Sequence, residues 1–121
     1  MSLNYKEDGE LKPLAKTEVA KDKYSTDEIV VGEWIDGKPI YRKVFVSSSL
    51  VLLSASTWIN FTTTNIPMKQ IVNLSCNNSL QGMFIDGIYA RYDSNSLALF
   101  NSRGKDLSID TVIVEYTKTT D

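Results

Sequence analysis

The sequence predicts an all-β domain, an antiparallel β-sandwich of jelly-roll-like type, preceded by an N-terminal arm. A β-hairpin with an Asp-Gly turn can be read between residues 24 and 46. After it, short runs of β-branched and aromatic residues recur at intervals of roughly ten residues, separated by turn-forming connectors, which is typical of a sandwich. Outside the first 23 residues, no segment has helical periodicity.

The first 23 residues differ in composition from the rest of the chain. They are polar and charged, with few apolar side chains, and Pro13 interrupts any early helix. A helix over residues 15–21 would be marginal at that length in isolation. We therefore expect residues 1–23 to be an extended or partly helical arm or linker, and residues 24–121 to be the sandwich domain. The arm is either a disordered terminus or a connector to an upstream part of a larger assembly.

The hairpin is predicted to have one strand at residues 28–35 and a return strand at residues 40–46. Asp36 and Gly37 suit a two-residue type I′ turn, because both tolerate a positive φ. This loop predicts three facing pairs: Ile35 with Lys38, Gly32 with Tyr41, and Trp34 with Pro39.

Six further strands are expected beyond the hairpin, because β-prone runs alternate there with connectors of loop composition. They are residues 50–53, 57–64, 68–76, 82–92, 97–101 and 107–118. The one cysteine, Cys76, lies in a strand-like run and is expected to be a small buried thiol. With a single cysteine, no intrachain disulfide can form.

The centre of the chain is poor in charge. Residues 44–85 contain one charged side chain, Lys69, and their polar residues are mainly Ser, Thr and Asn. The surface of a soluble monomer normally includes Lys, Glu and Arg, whereas the cores of subunit interfaces are depleted in charge. Either these strands pack in a homo-oligomer, or the domain is an ordinary sandwich with a Ser/Thr-rich outer face.

Composition excludes several classes of function. The net charge is −2 and the 13 basic residues are scattered, so no nucleic-acid partner is expected. There is no histidine, which removes His-based catalytic systems and the commonest zinc ligand. No apolar run is long enough to insert into a membrane. We expect no catalytic residue, no metal site and no cofactor.

Three aromatic residues are candidates for ligand binding: Trp58, Tyr89 and Tyr92. An aromatic ring has an apolar face that suits the face of a sugar ring. In a strand, Trp58 would share its face with Asn60 and Thr62, a mixture of aromatic and polar groups. The alternative is that these aromatic residues belong to the core or to a subunit contact.

Carboxylates in the C-terminal half offer a weaker alternative. Two such groups at the right separation can hydrolyse a glycoside, but the sequence does not establish a separation. Some of them lie in or beside loops, where solvated acids are common. The four aspartates are Asp86, Asp93, Asp106 and Asp110.

Two stretches are similar to a known family. Residues 24–43 read YSTDEIVVGEWIDGKPIYRK, and residues 112–121 end in EYTKTTD. Together they resemble a C-terminal domain of tail-associated structural proteins of phages and prophages, especially those of Gram-positive hosts. Residues 71–74 and 97–100 also resemble segments of this family. The rest of the middle does not, so no binding loop is carried over from the family.

The resemblance implies a virion tail component, made in the bacterial cytoplasm and placed at a fibre tip or baseplate. Such domains are often trimeric and contact other tail proteins, and the resemblance does not imply a known catalytic residue. We therefore expect a non-enzymatic structural domain, a homo-oligomer with the trimer favoured, that can bind a glycan of the host cell wall. The alternatives are a small glycan-degrading tail enzyme and a monomeric carbohydrate-binding module.

Overall fold

The computed structural model describes residues 23–121, so the predicted arm lies outside the described residues apart from Lys23. The described part contains eight strands and no helix. The strands are β1 (Ile29–Glu33), β2 (Pro39–Leu53), β3 (Trp58–Thr63), β4 (Met68–Asn78), β5 (Met83–Ile85), β6 (Ile88–Asp93), β7 (Ser96–Asn101) and β8 (Leu107–Lys118). All of their pairings are antiparallel, which confirms that the domain is all-β with antiparallel sheets.

The strands form two sheets. A five-stranded sheet has the order β1-β2-β8-β4-β5, and a three-stranded sheet has the order β3-β7-β6. The early strands β2 and β3 pair with the late strands β8 and β7, so each sheet joins distant parts of the chain. This arrangement is consistent with a β-sandwich.

The core draws side chains from both sheets. Leu97 and Leu99 of β7 are fully buried, while their neighbours Ala98 and Phe100 are only partly buried, as the alternation of side chains along a strand requires. Strand β8 of the other sheet contributes Tyr116 and several aliphatic residues to the same cluster. Cys76 is also buried and unpaired there, as predicted.

The hairpin loop has three residues, not the predicted two. Its backbone is closed by hydrogen bonds from the Gly37 N–H to the Trp34 carbonyl, at 2.9 Å, and from the Trp34 N–H to the Lys38 carbonyl, at 2.8 Å. Gly37 alone has a positive φ, at 84°. The Asp36 carboxylate accepts a hydrogen bond from the Lys38 N–H at 3.0 Å. A turn followed by one left-handed residue is the usual form of a three-residue hairpin loop, and glycine adopts that conformation readily.

The longer loop shifts the register of the hairpin by one residue. The three predicted facing pairs are therefore wrong. The observed pairs are Glu33 with Pro39, Gly32 with Ile40, Val30 with Tyr41, and Ile29 with Arg42. Between Gly32 and Val30 the register shifts again, so Val31 forms a bulge.

Two of the predicted strand boundaries are also wrong. Residues 40–46 and 50–53 belong to one strand, β2, whose pairing with β8 is irregular between Val46 and Val51. Residues 82–92 form two strands in different sheets, β5 and β6.

The chain crosses between the sheets at Gly87, whose φ is +78° and whose missing side chain leaves room for Arg103. A glycine is needed there because a Cβ would lie 2.8 Å from the Arg103 Cγ.

The hairpin segment and the C-terminal segment are in contact. Glu28 accepts hydrogen bonds from the buried Tyr116 hydroxyl and from the Lys118 ammonium, the latter at 2.6 Å. Two further pairs join the segments: Arg42 with Glu115 at 2.9 Å, and the Tyr41 hydroxyl with Asp121 at 2.7 Å. Residues far apart in the sequence therefore form one structural unit across β1, β2 and β8.

Candidate ligand-binding face

Three aromatic side chains form a row across the outer face of the three-stranded sheet. Trp58 of β3 pairs with Phe100 of β7, and Phe100 pairs with Tyr89 of β6. The ring centroids of Trp58 and Phe100 are 5.2 Å apart, and those of Phe100 and Tyr89 are 6.4 Å apart. Trp58 is 40% exposed and Tyr89 is 61% exposed. We call these three residues the aromatic row.

Strand alternation and pairing produce the row. Because Leu99 and Ile88 point into the core, the next residues, Phe100 and Tyr89, point outward. Trp58 begins β3, directly after a bend at Ser56, which has a φ of 56°. The Ser56 N–H donates to the Asn101 carbonyl at 2.8 Å and anchors this bend to the end of β7.

Polar side chains lie beside the aromatic row. At the next outward-facing position along the three strands, Asn60 of β3 and Arg91 of β6 lie on either side of Ala98 of β7. The Arg91 guanidinium carbon lies 4.3 Å from the centroid of the Trp58 ring, in cation–π geometry. Because the Ala98 side chain is small, the surface at Ala98 lies closer to the backbone of the sheet than the aromatic rings of the row do. An apolar platform with amide and guanidinium donors along one edge is suited to a ring that carries polar substituents.

The structure brings two of the three predicted aromatic candidates together. Trp58 and Tyr89 belong to the aromatic row, but Tyr92 packs against the core on the opposite face. Its hydroxyl lies within hydrogen-bonding distance of two acceptors, the Asn95 Oδ1 at 2.9 Å and the Thr64 carbonyl at 3.2 Å. Tyr89 and Tyr92 are three residues apart, and strand positions at odd spacing face opposite ways.

Thr62 also leaves the predicted face. A register shift between Asn60 and Thr62 pairs Thr62 with the buried Leu97. The sequence interpretation missed Phe100 and Arg91, although each occupies an outward position of a predicted strand. Alternation along residues 97–101 could have identified Phe100, but only the pairing of β3, β7 and β6 shows that it lies between Trp58 and Tyr89.

Three of the aspartates considered as catalytic groups have local structural partners. Asp86 forms an ion pair with Arg103 at 2.9 Å. Asp106 accepts a hydrogen bond from the Ala55 N–H at 2.9 Å. Hydrogen bonds from the hydroxyl and the N–H of Ser79 hold the pKa of Asp110 below its usual value. These contacts tie the carboxylates to three different loops. Within residues 23–121, no group of three His, Cys, Asp or Glu side chains is arranged to hold a metal.

The outer face of the five-stranded sheet is poor in charge. Neighbouring strands place Val44, Ile113 and Ser75 in one register position, and Val46, Thr111 and Asn77 in the next, with Phe84 beside Asn77. We call these seven residues the charge-poor face. Val46 is 60% exposed and Phe84 is 66% exposed. The Arg42–Glu115 ion pair borders this face on one side.

Comparisons with protein-family models, with curated proteins and with solved structures gave no significant match for this chain.

Proposed function

We propose that the chain is a structural and receptor-binding domain of a phage or prophage tail, located at a fibre tip or baseplate. In this proposal the two sheets form a jelly-roll-like sandwich, and the aromatic row contacts a glycan on the host surface. The observation that carries the proposal is the aligned, exposed row of Trp58, Phe100 and Tyr89. The resemblance of residues 24–43 and 112–121 to tail proteins supports the location.

The chemistry of the face suits a saccharide. Aromatic rings bury the apolar C–H face of a sugar, and the neighbouring Asn60 and Arg91 can hydrogen-bond its hydroxyl groups. A face that is flat and open gives weak single contacts. Several copies on one virion would raise the overall affinity, because later binding events become intramolecular.

Trp58→Ala is expected to weaken binding to cell-wall polysaccharide of a host bacterium by roughly 10- to 100-fold, since the largest apolar contact is removed. Tyr89→Ala is expected to have a smaller effect in the same direction. Binding can be measured by biolayer interferometry on immobilised polysaccharide. Ile35→Ala is the matched control, because Ile35 is 91% exposed at the hairpin tip, away from the face. Equal binding by all four proteins would contradict the proposed role of the row.

We also propose that the domain forms a homo-oligomer, with a trimer favoured, in which the charge-poor face packs against a second copy. An interface core is depleted in charge, and Val46 and Phe84 expose apolar surface that a partner copy would cover. On β2 the exposed Leu50 and Leu52 extend this apolar surface. Other tail proteins could then attach at the remaining surfaces of the assembly.

Val46→Asp is expected to convert the oligomer to a monomer, because it would bury a charge without a partner in the interface. Light scattering coupled to gel filtration measures the mass directly. Ile35→Asp introduces the same charge at the hairpin tip and should leave the mass unchanged. A wild-type protein that remains monomeric at high micromolar concentration would contradict the oligomer.

Two alternatives make different predictions in the same experiments. A monomeric carbohydrate-binding module would keep the glycan binding and its dependence on Trp58 but show the mass of a monomer. A glycan-degrading enzyme would release reducing ends from the bound polysaccharide. The contacts of Asp86, Asp106 and Asp110 with loop residues favour a structural role for these three carboxylates.

A further inference from the structure

We infer that the glycan bound by the aromatic row is acidic, and that Arg91 binds its carboxylate or phosphate group. This inference rests on the proposed glycan-binding function and specifies the class of ligand. It begins from the position of Arg91, which is exposed on the outer face of β6, one register position away from Tyr89 and Phe100.

Among the described residues 23–121, the Arg91 guanidinium has no carboxylate partner. The other two arginines are paired, Arg42 with Glu115 and Arg103 with Asp86, each at 2.9 Å. Within residues 23–121, the Arg91 side chain makes no hydrogen bond or ion pair, and it contacts the Trp58 ring. Its N–H donors are therefore available to a ligand.

The contact with Trp58 also orients the side chain. A guanidinium over an indole ring gains cation–π energy and loses rotational freedom before any ligand arrives. Its planar fork of N–H donors matches the two oxygens of a carboxylate or a phosphate, and such charge-assisted pairs are the stronger hydrogen bonds. A sugar ring bound along the aromatic row would place its substituents next to this fork.

The surroundings do not neutralise Arg91. Its cross-strand neighbours on the face, Ala98 and Asn60, carry no charge. Asp93 is two residues further along β6 on the same face, but it lies beyond ion-pair distance of Arg91. A positive charge beside an aromatic platform favours an acidic saccharide over a neutral one of the same shape.

The test compares three soluble oligosaccharides of similar length by calorimetry: a neutral one, a uronic-acid oligomer with carboxylates, and a phosphorylated one. The wild-type protein is expected to bind at least one acidic oligosaccharide roughly tenfold or more tightly than the neutral one. The acidic oligosaccharide that binds more tightly identifies whether the bound group is a carboxylate or a phosphate. The preference should weaken as salt rises to about 0.5 M, since added ions screen an exposed charge pair.

Arg91→Gln is expected to abolish the preference for the acidic oligosaccharide while leaving weaker binding through Trp58. Arg91→Lys should retain part of it, because the charge remains and the planar fork is lost. Lys69→Gln, which removes the same charge from an exposed position on β4, should change nothing. Thermal unfolding midpoints should match in all four proteins.

The outcomes separate this inference from the proposed function. Equal affinity for acidic and neutral oligosaccharides, or an acidic preference that persists in Arg91→Gln, would overturn the role of Arg91 and leave the aromatic row as a glycan site. If neither oligosaccharides nor host polysaccharide bind, and Trp58→Ala changes nothing, the proposed function itself fails and the acidic ligand fails with it.

Discussion

Replacing Asn101 by leucine is expected to lower the free energy of unfolding by about 3 kcal/mol or more. Asn101 is fully buried at the end of β7. Its side-chain amide donates to the carbonyls of Leu53 and Lys105, at 2.9 and 2.8 Å, and its amide oxygen accepts from the Arg103 N–H at 2.9 Å. One side chain thereby joins the end of β2 to the loop between β7 and β8.

The size of the effect depends on the backbone groups that lose their hydrogen-bond partner when leucine replaces Asn101. Leucine has nearly the same shape but no polar atom, so two carbonyls and one N–H lose their partner together. Each polar group left unsatisfied on burial costs about 1 to 3 kcal/mol. This cost exceeds any gain from the added apolar surface, because the space around Asn101 is lined by backbone carbonyls.

Urea unfolding followed by tryptophan fluorescence measures this difference. Asn60→Leu is the matched control, since Asn60 is exposed on the neighbouring strand β3 and should change stability by less than about 0.5 kcal/mol. A loss below about 1 kcal/mol for Asn101→Leu would show that water replaces the amide and that the side chain is not needed for the loop. The bend that positions Trp58 also bonds to the Asn101 backbone, so binding should weaken in the variant as well.

Raising the pH from about 9 to about 11 is expected to remove about 4 kcal/mol of stability, enough to unfold a domain of ordinary marginal stability. Burial raises the pKa of the Cys76 thiol to about 12. The pKa of Tyr116 is also raised above its ordinary value, first by burial and then by the hydrogen bond from its hydroxyl to Glu28. Tyr41, near Tyr116, shifts in the same direction, chiefly through its hydrogen bond to Asp121.

The direction of the stability change depends on whether the unfolded or the folded state loses its proton at the lower pH. In the unfolded chain the thiol ionises near its ordinary pKa of about 9 and the phenol near about 10, while the folded protein retains both protons. Stability is therefore complete below about pH 9 and falls as the pH rises. The slope is about 1.4 kcal/mol per pH unit from Cys76, and doubles above about pH 10 when Tyr116 contributes.

Urea unfolding at a series of pH values, with a reducing agent present, measures the slope. Cys76→Ala should abolish the loss of stability between about pH 9 and 10 and halve the slope above about pH 10, where Tyr116 still contributes, whatever its effect on stability at neutral pH. An unchanged slope in this variant would assign the alkaline loss to other groups. A wild-type stability that stays level to about pH 11 would contradict the burial of both groups.

Local sequence patterns were sufficient to predict most of the strands but not how they pair. The runs at residues 57–64, 68–76, 97–101 and 107–118 match β3, β4, β7 and β8 to within a few residues. Alternation with a period of two is a local property, and the turn-forming residues mark its ends. The hairpin shows the limit, because Asp36 and Gly37 suit loops of two lengths and the register differs by one residue between them.

The split of residues 82–92 could not be read locally for a similar reason. Gly87 indicates a bend, but the assignment of β5 to one sheet and β6 to the other depends on β4 and β7, which are their partners. The contact of Gly87 with Arg103 joins two loops distant in sequence. Pairing between distant strands carries no signature in either strand alone.

The sequence by itself determined that the chain is all-β, where most strands lie, that Cys76 is buried, and that the central strands are poor in charge, because these properties depend on local composition and alternation. The tertiary structure decided which side chains meet. Only strand pairing aligns Trp58, Phe100 and Tyr89 and separates Tyr92 from them. Pairing also places the Arg91 guanidinium over the Trp58 ring, whereas Arg42 and Arg103 form ion pairs with carboxylates. These contacts join residues from different strands, so they exist only once the register of every pair has been set.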